Sequence, residues 1–164
     1  MTKHKKKIDL CLFANNEING IKFFLEKFKF KDFNLLVIDA GSTDGTLEFL
    51  KKKKITFYKQ KNRNYNDAYH LAIKKSLSNY IIIFHPKKTF SQSIIFKIKK
   101  KLEEDFDFVF TSRMKKNSLN EEDDNFLKPR KWFGQILALT IFLFFRNKKQ
   151  FISDPLCGVR GFKV

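Results

Sequence analysis

Asp39-Ala40-Gly41-Ser42-Thr43-Asp44-Gly45-Thr46 is the stretch on which the reading of this chain turns. It begins with a carboxylate that closes an apolar run starting at Asn34, and it runs through Gly, Ser and Thr into a helix-forming segment. A carboxylate at such a strand end can accept hydrogen bonds from a ribose hydroxyl or a base N–H. The turn and the helix start present backbone N–H groups that suit an anion. The same residues also make an ordinary capped strand-to-helix turn, common in any α/β protein, so the octapeptide does not decide its own role.

Working outward, strand-like and helix-like segments alternate. Residues 8–14, 34–39, 55–59, 80–84 and 106–112 read as strands. Between them, 18–30 carries Ile21, Phe24, Leu25 and Phe28 at helical spacing, 46–53 reads as a short helix, and 66–77 places Ala68, Leu71 and Ala72 on one face. A further helix is expected up to Glu104, capped by Ser91, with Ile94, Ile95, Ile98 and Leu102 inward. Strands separated by helices imply right-handed crossovers, hence an α/β fold in which helices flank a mostly parallel, Rossmann-like sheet. Such sheets bind ligands beyond the carboxyl ends of their strands, so the residues just after each strand carry the functional question. Asp39, His85 and Ser112 are expected to gather at that end.

Composition sets the outer limits. A length of 164 residues suits a single domain, 8–164, behind a basic tail at 1–7. The 43% hydrophobic content supports a core and argues against global disorder. Two cysteines, Cys11 and Cys157, make no disulfide framework and fit a reducing compartment. The apolar run after the basic start is too short for a secretory signal. The net charge of +17 has two readings: an anionic partner, or A/T-rich codon usage, which the 21 Phe residues favour. Nucleic acid is not expected as a partner, because no reader motif or aromatic-interleaved basic strand is present.

Taken whole, the octapeptide resembles the aspartate-rich signature of family 2 glycosyltransferases with the GT-A fold. Other segments fall in that family's order. Phe13-Ala14-Asn15-Asn16-Glu17 resembles its Pro-Ala-x-Asn-Glu pattern, 62–72 its lead into the helix before the metal strand, and Ser112-Arg113 its Ser-Arg. Asp154-Pro155-Leu156-Cys157-Gly158-Val159-Arg160-Gly161-Phe162 is similar to the DPxSGFRxF segment of the polyprenyl-phosphate and dolichol-phosphate sugar transferases. The resemblance implies a nucleotide-sugar donor held by Ala14, Glu17, Asp39, His85 and Lys87. It also implies phosphate or acceptor contacts from Arg113, Asp154 and Arg160, with Asp154 orienting an arginine. No general base stands out, and a polyprenyl phosphate needs none, since its phosphate oxygen is already ionised.

The departures are specific. Where the family has Asp-x-Asp after the fourth strand, this chain has His85-Pro86-Lys87-Lys88. Those carboxylates hold a divalent cation against the donor diphosphate. No metal ligand set is therefore assigned, and no Mg²⁺ or Mn²⁺ cofactor is expected. Lys87 and Lys88 are either fixed cations in the metal's place or solvated loop lysines. Ala40 replaces a second aspartate, Phe13 a proline and Cys157 a serine.

The last third changes character. Residues 115–129 read as a mobile loop with the acidic cluster Glu121 to Asp124. The almost wholly apolar stretch 133–145 is shorter than the roughly 20 residues that span a bilayer. It is flanked by Lys128, Arg130, Lys131, Arg146, Lys148 and Lys149, and reads equally as a core helix or an interfacial one. The expected placement is cytoplasmic, peripheral at an anionic inner membrane face, where a polyprenyl-phosphate acceptor would be met. The alternative is a non-catalytic GT-A-like nucleotide-binding or scaffold protein. The stop at Val164, just past the Asp154–Phe162 segment, is read as a fragment or a minimal version.

Overall fold

The computed structural model describes residues 8–87, 91–113, 129–144 and 151–164. They fall into two compact units, one within Met1–Val109 and Val159–Val164, the other within Phe110–Gly158.

The first unit carries β1 (Ile8–Ala14), α1 (Ile18–Lys27), β2 (Phe33–Asp39), α2 (Thr46–Lys52), β3 (Phe57–Lys59), α3 (Tyr65–Lys75), β4 (Tyr80–Phe84) and α4 (Ser93–Glu103). It also takes in most of β5 (Phe108–Phe110) and β6 (Arg160–Lys163). The sheet order is β3-β2-β1-β4-β6-β5. Strands β1, β2, β3 and β4 run parallel, with Ala14 opposite Asp39 and Leu12 opposite Phe84. The mostly parallel α/β sheet expected from the sequence is therefore present.

Every residue of β1 and β4 is buried, as a strand covered on both faces must be. On one face Cys11, Phe13, Ile38, Ile81 and Ile83 pack with Ala68 and Ala72 of α3. On the other, Phe84 meets Phe24 of α1 at 5.1 Å between ring centroids, and Phe28 stacks on Phe96 of α4 at 5.3 Å. This Phe cluster explains where α1 stops. The helix was expected to reach residue 30, but Phe28 is extended (ψ 132°), which turns Phe28 and Phe30 into the cluster.

Other boundaries shift for local reasons. Ser91 does not cap α4: Gln92 takes the cap position, and the Ser93 N–H reaches the Ser91 hydroxyl only at 3.4 Å. Ile95, Ile98 and Leu102 face inward as expected, Ile94 is only half-buried, and Lys99 joins the buried side, its ammonium meeting Asp32 at 3.2 Å. β5 is confined to three residues. β6 is new relative to the sequence reading and pairs antiparallel with β4, Tyr80 opposite Lys163.

At the amino end of the sheet, buried Asp9 accepts hydrogen bonds from Asn34, Ser76, Ser78 and the Leu77 N–H. Burial alone would raise its carboxyl, but these donors outweigh it and hold the group below the usual carboxylate range. Asp9 is thus a fastening for the end of the sheet away from the site.

The second unit contains α5 (Pro129–Phe144) and the segment before β6. The acidic loop expected at 115–129 lies outside the described residues, except that Pro129 opens α5. No helix among the described residues is long and apolar enough to cross a membrane.

Candidate functional site

The carboxyl ends of β1 and β2 are joined by their own loops. Asp39, completely buried, accepts from the N–H groups of Gly41 and Ser42 (both 2.8 Å) and from the Ser42 hydroxyl at 2.5 Å. The Ser42 hydroxyl in turn accepts from the Asn16 N–H at 2.9 Å. The Asn16 side-chain oxygen accepts from the Thr43 N–H at 2.8 Å. Two left-handed residues make this geometry possible: Asn16 (φ 55°), a residue type that tolerates it, and Gly41 (φ 90°). Asp44 completes the fastening. It caps α2 through Thr46 and also accepts from the Ile18 N–H, the orphan donor at the start of α1. Slight burial opposes its charge, but these bonds prevail and hold its carboxyl below the ordinary range. Glu17, the residue before α1, makes no side-chain cap bond.

Beyond these strand ends lies a cavity of about 260 Å³. Ala14, Asn15 and Glu17 line it from the loop after β1, and Ala40 from the loop after β2. Gln60 follows β3, while His85 and Lys87 follow β4. Arg63, Asn64 and Tyr65 approach from the start of α3, where Asn64 caps the helix by accepting from the Asp67 N–H at 2.8 Å. The floor includes Phe13, whose ring meets His85 edge-on at 5.8 Å.

Four of the five residues expected to hold a donor, Ala14, Glu17, His85 and Lys87, line this one cavity. Asp39 does not: both of its oxygens are turned into the 40–42 turn. In this structure its carboxylate positions the 40–42 turn and does not line the cavity. Being buried among strong donors, it serves the loop before any ligand. Asp39 and His85 nonetheless stand at the same end of the sheet, as the parallel register requires.

His85 is neutral at physiological pH. Burial, then the positive charges of Lys87 and Arg160, lower its pKa to about 4. The loop that carries it is seated tightly: a Cβ on Gly20 of α1 would overlap the Pro86 carbonyl oxygen and lie 2.9 Å from its carbon. Arg63 donates from Nη2 to the Gly41 carbonyl at 3.0 Å, tying the start of α3 to the turn after β2. Sequence reasoning missed Arg63, Gln60 and Tyr65. Gln60 was within reach, because it directly follows a strand.

The remaining expected residues lie elsewhere in the chain. In the second unit, Arg113 donates from Nε and Nη2 to the two oxygens of Asp154 at 2.9 and 3.1 Å, a forked ion pair with a carboxylate buried at 0% exposure. The Arg113 N–H adds a third bond to the same carboxylate at 3.0 Å. Ser112 accepts from the Ser153 hydroxyl in the same unit. Arg160 belongs to β6, its guanidinium 5.6 Å from the Tyr69 ring centroid.

A divalent cation is the cofactor this site would have to hold, and the residues present do not fit one. Among the described residues that line the cavity Glu17 is the one carboxylate, whereas Mg²⁺ and similar ions take about six oxygens. Among the described residues no three His, Cys, Asp or Glu are grouped as a metal site.

A mostly parallel α/β sheet with a polar, partly cationic cavity at the carboxyl ends of its strands has the place where open α/β sheets receive ligands. The sequence matches glycosyl transferase family 2 over residues 12–163, and the chain belongs to that family. An uncharacterized glycosyltransferase of Rickettsia felis is 30% identical over 115 residues, 66% of this chain and 19% of the relative. One from Rickettsia conorii is 32% identical over 96 residues, 56% of this chain and 16% of the relative. The chain therefore spans under a fifth of the length of these curated relatives.

Among solved structures, glucosyl-3-phosphoglycerate synthase of Mycobacterium tuberculosis, in complex with Mn²⁺, UDP and glucosyl-3-phosphoglycerate, superposes with a TM-score of 0.70 at 14% identity. The likeness covers 96% of this chain and 57% of that one. The same enzyme with Mn²⁺, UDP-glucose and glycerol 3-phosphate gives 0.69 at 15% identity over the same shares of both chains. These likenesses show the GT-A-like α/β fold.

Proposed function

We propose that this chain binds a nucleotide-sugar donor in the cavity at the carboxyl ends of β1 to β4 and supports transfer of the sugar to a polyprenyl phosphate at an anionic, cytoplasmic membrane face. The observation that carries the reading is that one cavity gathers Ala14, Glu17, His85 and Lys87, all chosen from the sequence as donor contacts. Structural neighbours bind UDP and UDP-glucose, which agrees with a nucleotide-sugar donor. In the reaction an acceptor phosphate oxygen attacks the anomeric carbon, the bond from that carbon to the diphosphate oxygen breaks, and a nucleoside diphosphate leaves. The nucleophile arrives ionised, so the protein's task is positioning and charge stabilisation. Arg113, whose orientation Asp154 fixes, is the proposed contact for the acceptor phosphate.

A second reading, a donor-binding protein without transfer, is favoured by His85-Pro86-Lys87 standing where the family has Asp-x-Asp. Calorimetric titration of UDP- and GDP-sugars, followed by an assay for sugar on a polyprenyl phosphate in vesicles, separates the two. Binding with transfer supports the first reading, and binding alone the second. Failure of every donor to bind overturns both.

The membrane part of the proposal rests on α5. Trp132, Phe133, Ile136, Leu139, Leu143 and Phe144 are all exposed and recur at helical spacing along one stripe. Gly134 and Ala138 on the other side are buried. Each side chain of the stripe would contribute about 1.5–3 kcal/mol where fully inserted, and each nearby basic residue about 1 kcal/mol at an anionic surface. We expect the chain to co-sediment with phosphatidylserine-containing vesicles at low salt. Phe133→Asp with Phe144→Asp should lower that binding by roughly tenfold or more, and so should high salt. Because both rings are exposed, the double variant should keep its circular dichroism. Wild-type indifference to anionic vesicles would remove the membrane from the proposal.

A further inference from the structure

The cavity's charges suggest how a donor diphosphate is neutralised. We infer that the diphosphate of the donor is received by fixed side-chain cations, Lys87 first and Arg63 beside it, with no divalent metal. This inference rests on the donor-site reading above and goes beyond it by naming what balances the phosphate charge.

Three observations support it. First, among the described residues the lining holds two cations, Arg63 and Lys87, against one carboxylate, Glu17. The other acids of the surrounding loops are committed: Asp39 to the 40–42 turn, Asp44 to the starts of α1 and α2, and Asp67 to the N–H groups of Lys61 and Asn62 at 2.9 Å. A hard cation would find one carboxylate among the described lining, and the side-chain oxygens of Asn15, Gln60 and Asn64 there belong to neutral amides. Second, Lys87 and Arg63 sit on anchored backbone. The Lys87 N–H closes a turn on the His85 carbonyl at 2.8 Å, and Pro86 is wedged against Gly20. Arg63 is tied to the Gly41 carbonyl. Cations on a prearranged backbone need little reorganisation when charge develops on the leaving group. Third, two positive charges, Lys87 and Arg160, bear on His85 at this end of the sheet. The same Lys87 and Arg160 charges that help keep a proton off His85 would oppose a doubly charged ion there and attract an anion. A neutral imidazole keeps one N–H to donate to a phosphate oxygen.

The test uses the full chain and four probes: UDP, GDP, uridine and guanosine, titrated in EDTA and then in Mn²⁺. One diphosphate is expected to bind in EDTA, with its affinity changed less than about twofold by Mn²⁺. Lys87→Ala, at an exposed position, should weaken that diphosphate by about tenfold, as loss of one charge-assisted phosphate contact does, and leave its nucleoside within about twofold. His85→Asp with Lys87→Asp should make diphosphate binding depend on Mn²⁺. Wild-type diphosphate binding that vanishes in EDTA and returns with Mn²⁺ would overturn the inference while leaving the donor site intact. So would a Lys87→Ala variant that binds UDP and GDP as wild type does. If no probe binds in either condition, the donor-site reading falls and takes this inference with it.

Discussion

Gly20→Ala is expected to disable the cavity while leaving most of the sheet folded. The added methyl would overlap the Pro86 carbonyl, which is backbone and cannot swing away as a side chain could. Either α1 or the 85–87 loop must move. Overpacking of this kind costs about 1–3 kcal/mol. The larger effect falls on the site, because Glu17 rides on the loop leading into α1 and His85 and Lys87 on the displaced loop. A shift of about 1 Å can cost two orders of magnitude where geometry is decisive, so nucleotide binding should fall by roughly tenfold or more. Asn19→Ala, an exposed change in the same turn of helix, should leave binding as it is. Calorimetry with UDP and GDP reads both variants. A Gly20→Ala protein that binds like wild type would show that the loop's seating on α1 does not matter to the cavity.

Asp39→Ala should have the largest effect on stability among the motif residues. Three hydrogen bonds converge on this buried carboxylate, and its removal strands the N–H groups of Gly41 and Ser42. Bonds to a charged acceptor are worth about 1.5–3 kcal/mol, with a further penalty for orphaned donors, so a loss of about 3 kcal/mol is expected. That corresponds to roughly 10 °C in melting temperature for a chain of this size. Nucleotide binding should weaken as well, because Ala40 and the Arg63 anchor at Gly41 both depend on this turn. Asp44→Ala should cost only about 1 kcal/mol, since its carboxylate is exposed and water can replace it at the helix starts. Thermal melts and calorimetry on the two variants decide the order. A smaller loss for Asp39→Ala than for Asp44→Ala would contradict the hydrogen-bond network described here.

How far the sequence could be read follows from what each signal encodes. β1 and β4 match their expected spans to the residue, because β4 is a continuous apolar run and β1 is one broken only by Asp9 near its start. α1 was drawn too long because Phe28 and Phe30 extend the apolar pattern. Periodicity cannot tell a helix continuing from a chain turning its rings onto Phe96 and Phe24. β6 was invisible as a strand: four residues that include a glycine and two basic side chains carry no alternation, and only pairing with β4 defines them. At the strand ends, the residues singled out after β1 and β4 line one cavity, because parallel strands in register deliver their following loops to the same end. At Asp39 a sequence shows that a carboxylate ends a strand, not which donors reach it first. Arg63 was hidden among polar loop residues because its anchor, the Gly41 carbonyl, is distant in sequence.

The antiparallel β6 also sets an order of events. Tyr80 and Lys163 are neighbours in the sheet, yet about half the chain separates them in sequence. A nascent chain emerging from the ribosome can pair β1, β2 and β3 with β4 long before residues 160–163 exist. Until then the outer edge of β4, a run of Tyr80 and three isoleucines, is an unpaired template open to other chains. Non-local pairing of this kind is slow, because loop closure must come before its reward. The sheet is therefore sealed late, by the same short segment that brings Arg160 toward the cavity, so an incompletely synthesised chain would expose a sticky edge and lack that arginine at the same time.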